Sequence, residues 1–146
     1  PIDSLRLDHL SMERVAGVDG RVDRVDLSGS KVGGSIEGAT LVVPDPMGAT
    51  GSTVLRAMEH LRERYGEPRR LILIPMICTP EFLRVTLDLD LDVAIYTGRV
   101  DRGMSPLDVL EEVPGARWAE ERGLDDDDYI VPGAGGVGEV LNNSWV

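Results

Sequence analysis

The chain carries a single cysteine, Cys78, among 146 residues. No intrachain disulfide can form, so a reducing, cytoplasmic setting is expected and the fold must rest on its core. Cys78 ends an apolar run, which makes it a core residue rather than a nucleophile. Positive charge is also scarce. Lys and Arg number 15 against 26 Asp and Glu, a formal net charge of -11. That balance argues against nucleic acid or an anionic membrane as a partner. An anionic ligand would need local donors, since the global field repels it. No apolar run reaches the length that crosses a membrane, and the start lacks a signal-peptide pattern. The chain opens on Pro1 rather than Met, as a processed or truncated chain would. With 42% hydrophobic residues, its length suits one domain with a real core. Within it, 1–38 reads as an arm and loop, and 39–146 as a core with an insertion at about 104–128.

One stretch organises the rest: Leu41-Val-Val-Pro-Asp-Pro-Met-Gly-Ala-Thr-Gly-Ser-Thr53. An apolar strand over 40–45 ends in Asp45, a small-residue loop follows, and a helix begins. The first N–H groups of a helix have no intrahelical partner, and the helix dipole stands behind them, so this junction suits an anion. Gly48 and Gly51 permit a tight turn, while Thr50, Ser52 and Thr53 add hydroxyls. Asp45 is placed to accept hydrogen bonds from ribose hydroxyls. A plainer reading is a strand–turn–helix junction with a Ser/Thr cap.

The surrounding pattern is α/β. Val22 to Leu27 alternates as one strand of a hairpin, with its turn in Val15 to Gly20 and Ser28 to Gly38 as loop. Val54, Leu55, Met58, Leu61 and Tyr65 fall at helical spacing, and Gly66 stops that helix. His60, among charged neighbours, is expected to be solvated. Leu71 to Ile77 is continuously apolar, as in a parallel strand covered on both faces. Pro80 to Leu87 reads as a second helix with Thr79 as its cap. Leu89 to Tyr96 supplies the next strand, and the alternation predicts a mostly parallel sheet with flanking helices. In the insertion, Pro106–Glu112 and Ala116–Arg122 are candidate short helices. Asp125 to Asp128 reads as a solvated turn, with a divalent-metal cluster as the weaker alternative.

A second informative stretch is Tyr129-Ile-Val-Pro-Gly-Ala-Gly-Gly-Val-Gly-Glu139. A short strand runs into Pro132 and then into closely spaced glycines. It is either a flexible terminal loop or a backbone surface able to approach a flat ligand edge.

Asp45-Pro-Met-Gly-Ala-Thr-Gly-Ser52 resembles D-P-M-L-A-T-G-G-S, the phosphoribosyl-diphosphate loop of uracil phosphoribosyltransferases. Tyr129 to Glu139 resembles that family's uracil loop, Y-I-I-P-G-L-G-D-A-G-D. Between them Thr79-Pro-Glu81 is similar to A-P-E. Ile95-Tyr-Thr97 with Val100-Asp-Arg-Gly103 is similar to L-Y-T…I-D-Q-G. The resemblance implies a phosphoribosyltransferase-like fold with an N-terminal β-arm that packs on a second subunit, giving a homodimer or a higher oligomer. It implies that Asp45, Pro46, Met47, Gly48, Ala49, Thr50, Gly51, Ser52 and Thr53 bind phosphoribosyl diphosphate, with Asp45 the catalytic candidate. Ile130, Gly135, Gly136 and Val137 would line uracil, whose alternating donors and acceptors suit backbone groups and exclude cytosine. Mg²⁺ would arrive with phosphoribosyl diphosphate, without a dedicated set of protein metal ligands. The reaction implied is conversion of uracil to UMP and diphosphate in pyrimidine salvage.

Four departures qualify that implication. Gly136 stands where the family has Asp, and Ser52 replaces a glycine. Residues 104–128 replace a short connection. No R-A-G-L motif, whose arginine binds diphosphate, occurs in Pro1 to Gly38; Arg6 offers only a one-residue match to another family arginine. Two further readings therefore stand beside the enzyme: a nucleotide- or uracil-binding regulatory relative, and a piece of a longer enzyme.

Overall fold

The computed structural model describes residues 4–16 and 22–135. The first element pair is an antiparallel hairpin of β1 (His9–Ala16) and β2 (Val22–Lys31), which forms a sheet of its own. The expected arm is therefore present. Its second strand runs on through Ser28 to Lys31, which the glycine and serine content had suggested was loop. The Asp19-Gly20 turn lies outside the described residues.

The arm is fastened at its base. Arg6 Nε donates to both carboxylate oxygens of Asp8, at 3.0 and 2.9 Å, and its Nη atoms reach the carbonyls of Ser35 and Gly34 at 3.2 Å each. Residues 35–37 then dock on the end of the first helix. Ile36 is buried, its N–H meets the Tyr65 carbonyl at 2.8 Å, and the Glu37 carboxylate accepts the Glu67 N–H at 2.7 Å.

The main sheet follows: β3 (Thr40–Gly48), α1 (Ser52–Tyr65), β4 (Arg70–Cys78), α2 (Pro80–Leu87), β5 (Asp92–Ile95) and β6 (Arg99–Val100). Strand order is β3-β4-β5, all parallel. The short β6 pairs with the C-terminal end of β4 at Ile77 and Cys78. β3 is longer than its apolar run predicts, because register with β4 continues to Gly48↔Cys78. β5 is shorter, since Leu89–Leu91 turn before pairing begins.

Val54 and Met58 from α1 and Phe82 from α2 pack on Leu71 and Leu73 of β4, with Leu41, Val43, Val93 and Ile95 around them. Each fully buried side chain of this size contributes about 1.5–3 kcal/mol. All the strand residues in that list share one face. Parallel crossovers are right-handed, so two successive crossovers stepping the same way place both helices on the same side of the sheet. The opposite face is uncovered among the described residues: Val42 is 55% exposed, Ile74 43%, Met76 71% and Tyr96 62%. The continuous apolar run of β4 had suggested cover on both faces; the structure shows cover on one.

The insertion holds one short helix, α3 (Leu107–Leu110), and otherwise turns; Ala116–Arg122 is not helical. A buried ion pair replaces the missing hydrophobic packing. Arg102, 9% exposed, donates to Glu121 Oε1 at 3.1 Å and to the carbonyls of Val109 and Glu112, and the Gly115 N–H also donates to Glu121 Oε1. Arg84 and Glu81 of α2 complete the attachment, through the carbonyls of Trp118 and Glu121 and the N–H of Gly123. Asp125 to Asp128 forms a turn in which Asp125 Oδ1 accepts the N–H groups of Asp127 and Tyr129. His60 differs from expectation: it is half-buried beside Tyr65, ring centroids 6.1 Å apart, with Nε2 lacking a partner.

Candidate functional site

β3 delivers Asp45 to the C-terminal end of the sheet, where ligands bind in open α/β folds. Its Oδ1 accepts the Met47 N–H at 2.9 Å, which orients the carboxylate by a local turn. Asp45, Met47, Gly48, Ala49, Thr50, Gly51, Thr53, Val54 and Phe82 line a cavity of about 120 Å³. Pro46 and Ser52 belong to the same loop. Pro46 is on the exposed side of β3, and the Ser52 hydroxyl lies 2.9 Å from that of Thr50.

The start of α1 is where the structure departs from the plainer reading of a Ser/Thr cap. The cap is Gly51, in the left-handed region at φ +82°, and no side chain caps the helix. The Thr50 hydroxyl, one residue before the cap, accepts the first-turn N–H of Ser52 at 3.3 Å. Two glycines are required by close approach. A Cβ on Gly48 would stand 2.8 Å from ring atoms of Phe82, and one on Gly51 would stand 3.0 Å from Val85 Cγ1.

Thr79 holds the loop from beneath. It is fully buried; its hydroxyl donates to the Ala49 carbonyl at 2.6 Å and accepts the Phe82 N–H at 3.0 Å. Its own N–H meets the Gly48 carbonyl at 3.0 Å. The sequence identified Thr79 only as the cap of α2. The contact to Ala49 spans 30 positions and left no local signature.

The glycine-rich stretch lies on the other side of the β4 end. Ile130 forms one isolated antiparallel bridge with Leu124, so the expected strand is a single pairing. Gly135 is exposed at φ +70°. Gly136, Val137 and Glu139 lie outside the described residues. Val131 to Gly133 are gripped by residues after β6: Gly103 N–H meets the Val131 carbonyl at 2.8 Å, and the Asp101 carboxylate accepts the Gly133 N–H at 2.8 Å. Because Gly48 and Val100 flank Cys78 in register, the Asp45 loop and the segment after β6 leave the sheet about 10 Å apart, two strand spacings, and Asp101 and Gly103 of that segment hold the glycine-rich loop. Residues distant in sequence thus open on one edge of the sheet.

Arg6 is not brought to this edge. Its guanidinium is occupied at the arm by Asp8, Gly34 and Ser35, and the neighbouring arginine holds the Asp8 carboxyl below the usual carboxylate range. Cys78 sits beneath both loops with no solvent exposure, and burial pushes its thiol up.

A sequence profile of the family described as uracil phosphoribosyltransferase matches residues 25–116, which include the Asp45 loop and stop short of the glycine-rich one. Among similar proteins, the uracil phosphoribosyltransferase of Pyrococcus furiosus is 31% identical over 100 residues, covering 68% of this chain and 34% of its own length. That of Natronomonas pharaonis is 34% identical over 100 residues, covering 68% and 35%. The chain thus spans about a third of the length of these relatives. Among solved structures, the AQ2163 protein of Aquifex aeolicus superposes with a TM-score of 0.66 at 25% identity, over 92% of this chain and 51% of that one.

Proposed function

This chain belongs to the uracil phosphoribosyltransferase family, and on that premise we propose that it transfers the phosphoribosyl group of phosphoribosyl diphosphate to N1 of uracil, forming UMP and diphosphate in pyrimidine salvage. The observation that carries the reading is the cavity at the start of α1. It joins a carboxylate, Asp45, to small-residue backbone and the start of a helix whose cap residue is Gly51. Ala49 to Thr53 would hold the 5-phosphate by backbone N–H groups and hydroxyls. Local donors matter here because the chain as a whole repels anions.

The reaction passes through oxocarbenium character at the anomeric carbon, so the protein contributes mainly position and electrostatics. Asp45 would accept the ribose hydroxyls and lie near the developing positive charge. Ile130 and the backbone about Gly135 would meet the base edge, with Gly136 and Val137 following in the chain. Asp45 is the one acid lining the cavity, and among the described residues no three His, Cys, Asp or Glu side chains group together as a metal site. Such a donor set fits Mg²⁺ held by substrate oxygens and water with one protein carboxylate; it would offset diphosphate charge. The arm β1–β2 would seat on a second subunit. A cytoplasmic setting belongs to the same reading.

A second reading is favoured by Gly136, which replaces a family carboxylate. In it the chain binds uracil or a nucleotide without turning it over. Incubating the chain with labelled uracil, phosphoribosyl diphosphate and Mg²⁺ should yield UMP. No product together with calorimetric binding of UMP would replace the enzyme by the binding module. Neither product nor binding would remove both. Ala49→Trp, which fills the cavity, should abolish binding of ribose 5-phosphate.

A further inference from the structure

We propose that Asp101 is a positioning residue for base recognition, clamping the glycine-rich loop through Gly133; this rests on the reading of that loop as the base-facing one. The Asp101 side chain is 2% exposed. Its Oδ1 meets Arg99 Nε at 2.5 Å, and its Oδ2 accepts both Arg99 Nη2 at 2.9 Å and the Gly133 N–H at 2.8 Å. Arg99 Nη2 also donates to the Gly133 carbonyl at 3.1 Å. Both polar groups of one residue, Gly133, are therefore held by two side chains that hold each other in a fork geometry.

The clamp is anchored and directional. The Asp101 N–H is bonded to the Cys78 carbonyl at 2.8 Å, which ties the carboxylate to the end of β4. Gly133 sits at φ +64°, and a Cβ there would stand 2.4 Å from the Ile130 carbonyl oxygen. The loop's path at Gly133 is thus held by a buried carboxylate and its half-exposed arginine partner. A backbone that reads donors and acceptors on a flat ring must hold its peptide planes to a fraction of an ångström, because a misplaced carbonyl leaves a buried group unpaired. Asp101 touches no ligand in this scheme; it acts through Gly133.

The test separates base affinity from phosphate affinity. Ribose 5-phosphate and UMP are titrated calorimetrically into the intact chain and into Asp101→Asn. Asparagine keeps the shape, but its amide turns a donor toward either Arg99 or the Gly133 N–H. The ratio of UMP to ribose 5-phosphate affinity should fall about tenfold or more, the loss that goes with one hydrogen bond to a charged group. Ribose 5-phosphate affinity itself should hold, since the cradle lies on the far side of β4. An unchanged ratio in Asp101→Asn overturns the proposal. So does an equal loss for both ligands, which marks a merely structural role. If the unaltered chain binds UMP no better than ribose 5-phosphate, the base-loop reading falls first. Should Asp101→Asn not fold, Arg99→Met removes the donors to Asp101 and to the Gly133 carbonyl at a half-exposed position, and the same ratios decide.

Discussion

Replacing Thr79 with valine deletes one hydroxyl and keeps the branched shape. That hydroxyl has two partners in the structure, the Ala49 carbonyl of the Asp45 loop and the Phe82 N–H at the start of α2. Loss of a helix cap costs about 1 kcal/mol. Leaving the Ala49 carbonyl without its partner costs about 1–3 kcal/mol more. The extra buried methyl of valine returns roughly 0.8 kcal/mol at most. The net expectation is a loss of about 1–3 kcal/mol, or a fall in Tm of roughly 3–12 °C for a chain of this size. Thr79→Ser keeps the hydroxyl and should cost less than about 1 kcal/mol. Urea and thermal unfolding of the pair measure the stability term. Ribose 5-phosphate titration reads the loop, and affinity should drop several-fold in Thr79→Val only. Equal stability of the two variants would refute the claim that this hydroxyl joins the loop to the core.

Other expectations follow from the same geometry. Gly48→Ala should lose roughly 1–3 kcal/mol by urea denaturation, because its Cβ meets a Phe82 ring that is 1% exposed and cannot swing away; Gly48→Ala with Phe82→Leu should recover part of it. Glu121→Leu leaves the Arg102 guanidinium buried without its charge partner, at a cost of about 3–5 kcal/mol. Arg102→Met combined with Glu121→Leu should restore most of that, and a double variant no better than the single would overturn the account of the insertion. Cys78 should resist a thiol reagent at pH 8 in the native protein and react once urea exposes it, since burial raises its thiol and removes access; prompt labelling of the folded chain would contradict the packing of the β4 end.

Much of the candidate site was legible residue by residue. Asp45, the small residues to Thr53 and the helical spacing after them are neighbours in sequence, so their chemistry is local and their pattern announces it. The Thr79-Pro80 start of α2 was equally readable, because a cap and a first-position proline act within one turn. The insertion was less so. Its attachment depends on Arg102 reaching Glu121 and on Arg84 reaching Trp118, contacts across 19 and 34 positions that no periodicity encodes. Arg6 was ambiguous for the same reason: only its partners at Asp8, Gly34 and Ser35 show that the guanidinium serves the arm.

Composition, the apolar runs and the two glycine-bearing motifs were enough to establish a mostly parallel α/β chain with a small-residue loop at a helix start, because those properties arise within a few residues of backbone. Three things waited on the folded chain. The direction of both crossovers leaves one sheet face uncovered among the described residues, and handedness acts on strand order, which a linear pattern does not contain. The pairing of β6 with the end of β4 brings Asp101 and Gly103, which hold the glycine-rich loop, to the sheet end that carries the Asp45 loop. The Asp101–Arg99 clamp on Gly133 closes across 32 positions: the buried Asp101 carboxylate meets Arg99 locally, and Gly133 reaches it only when the chain has folded.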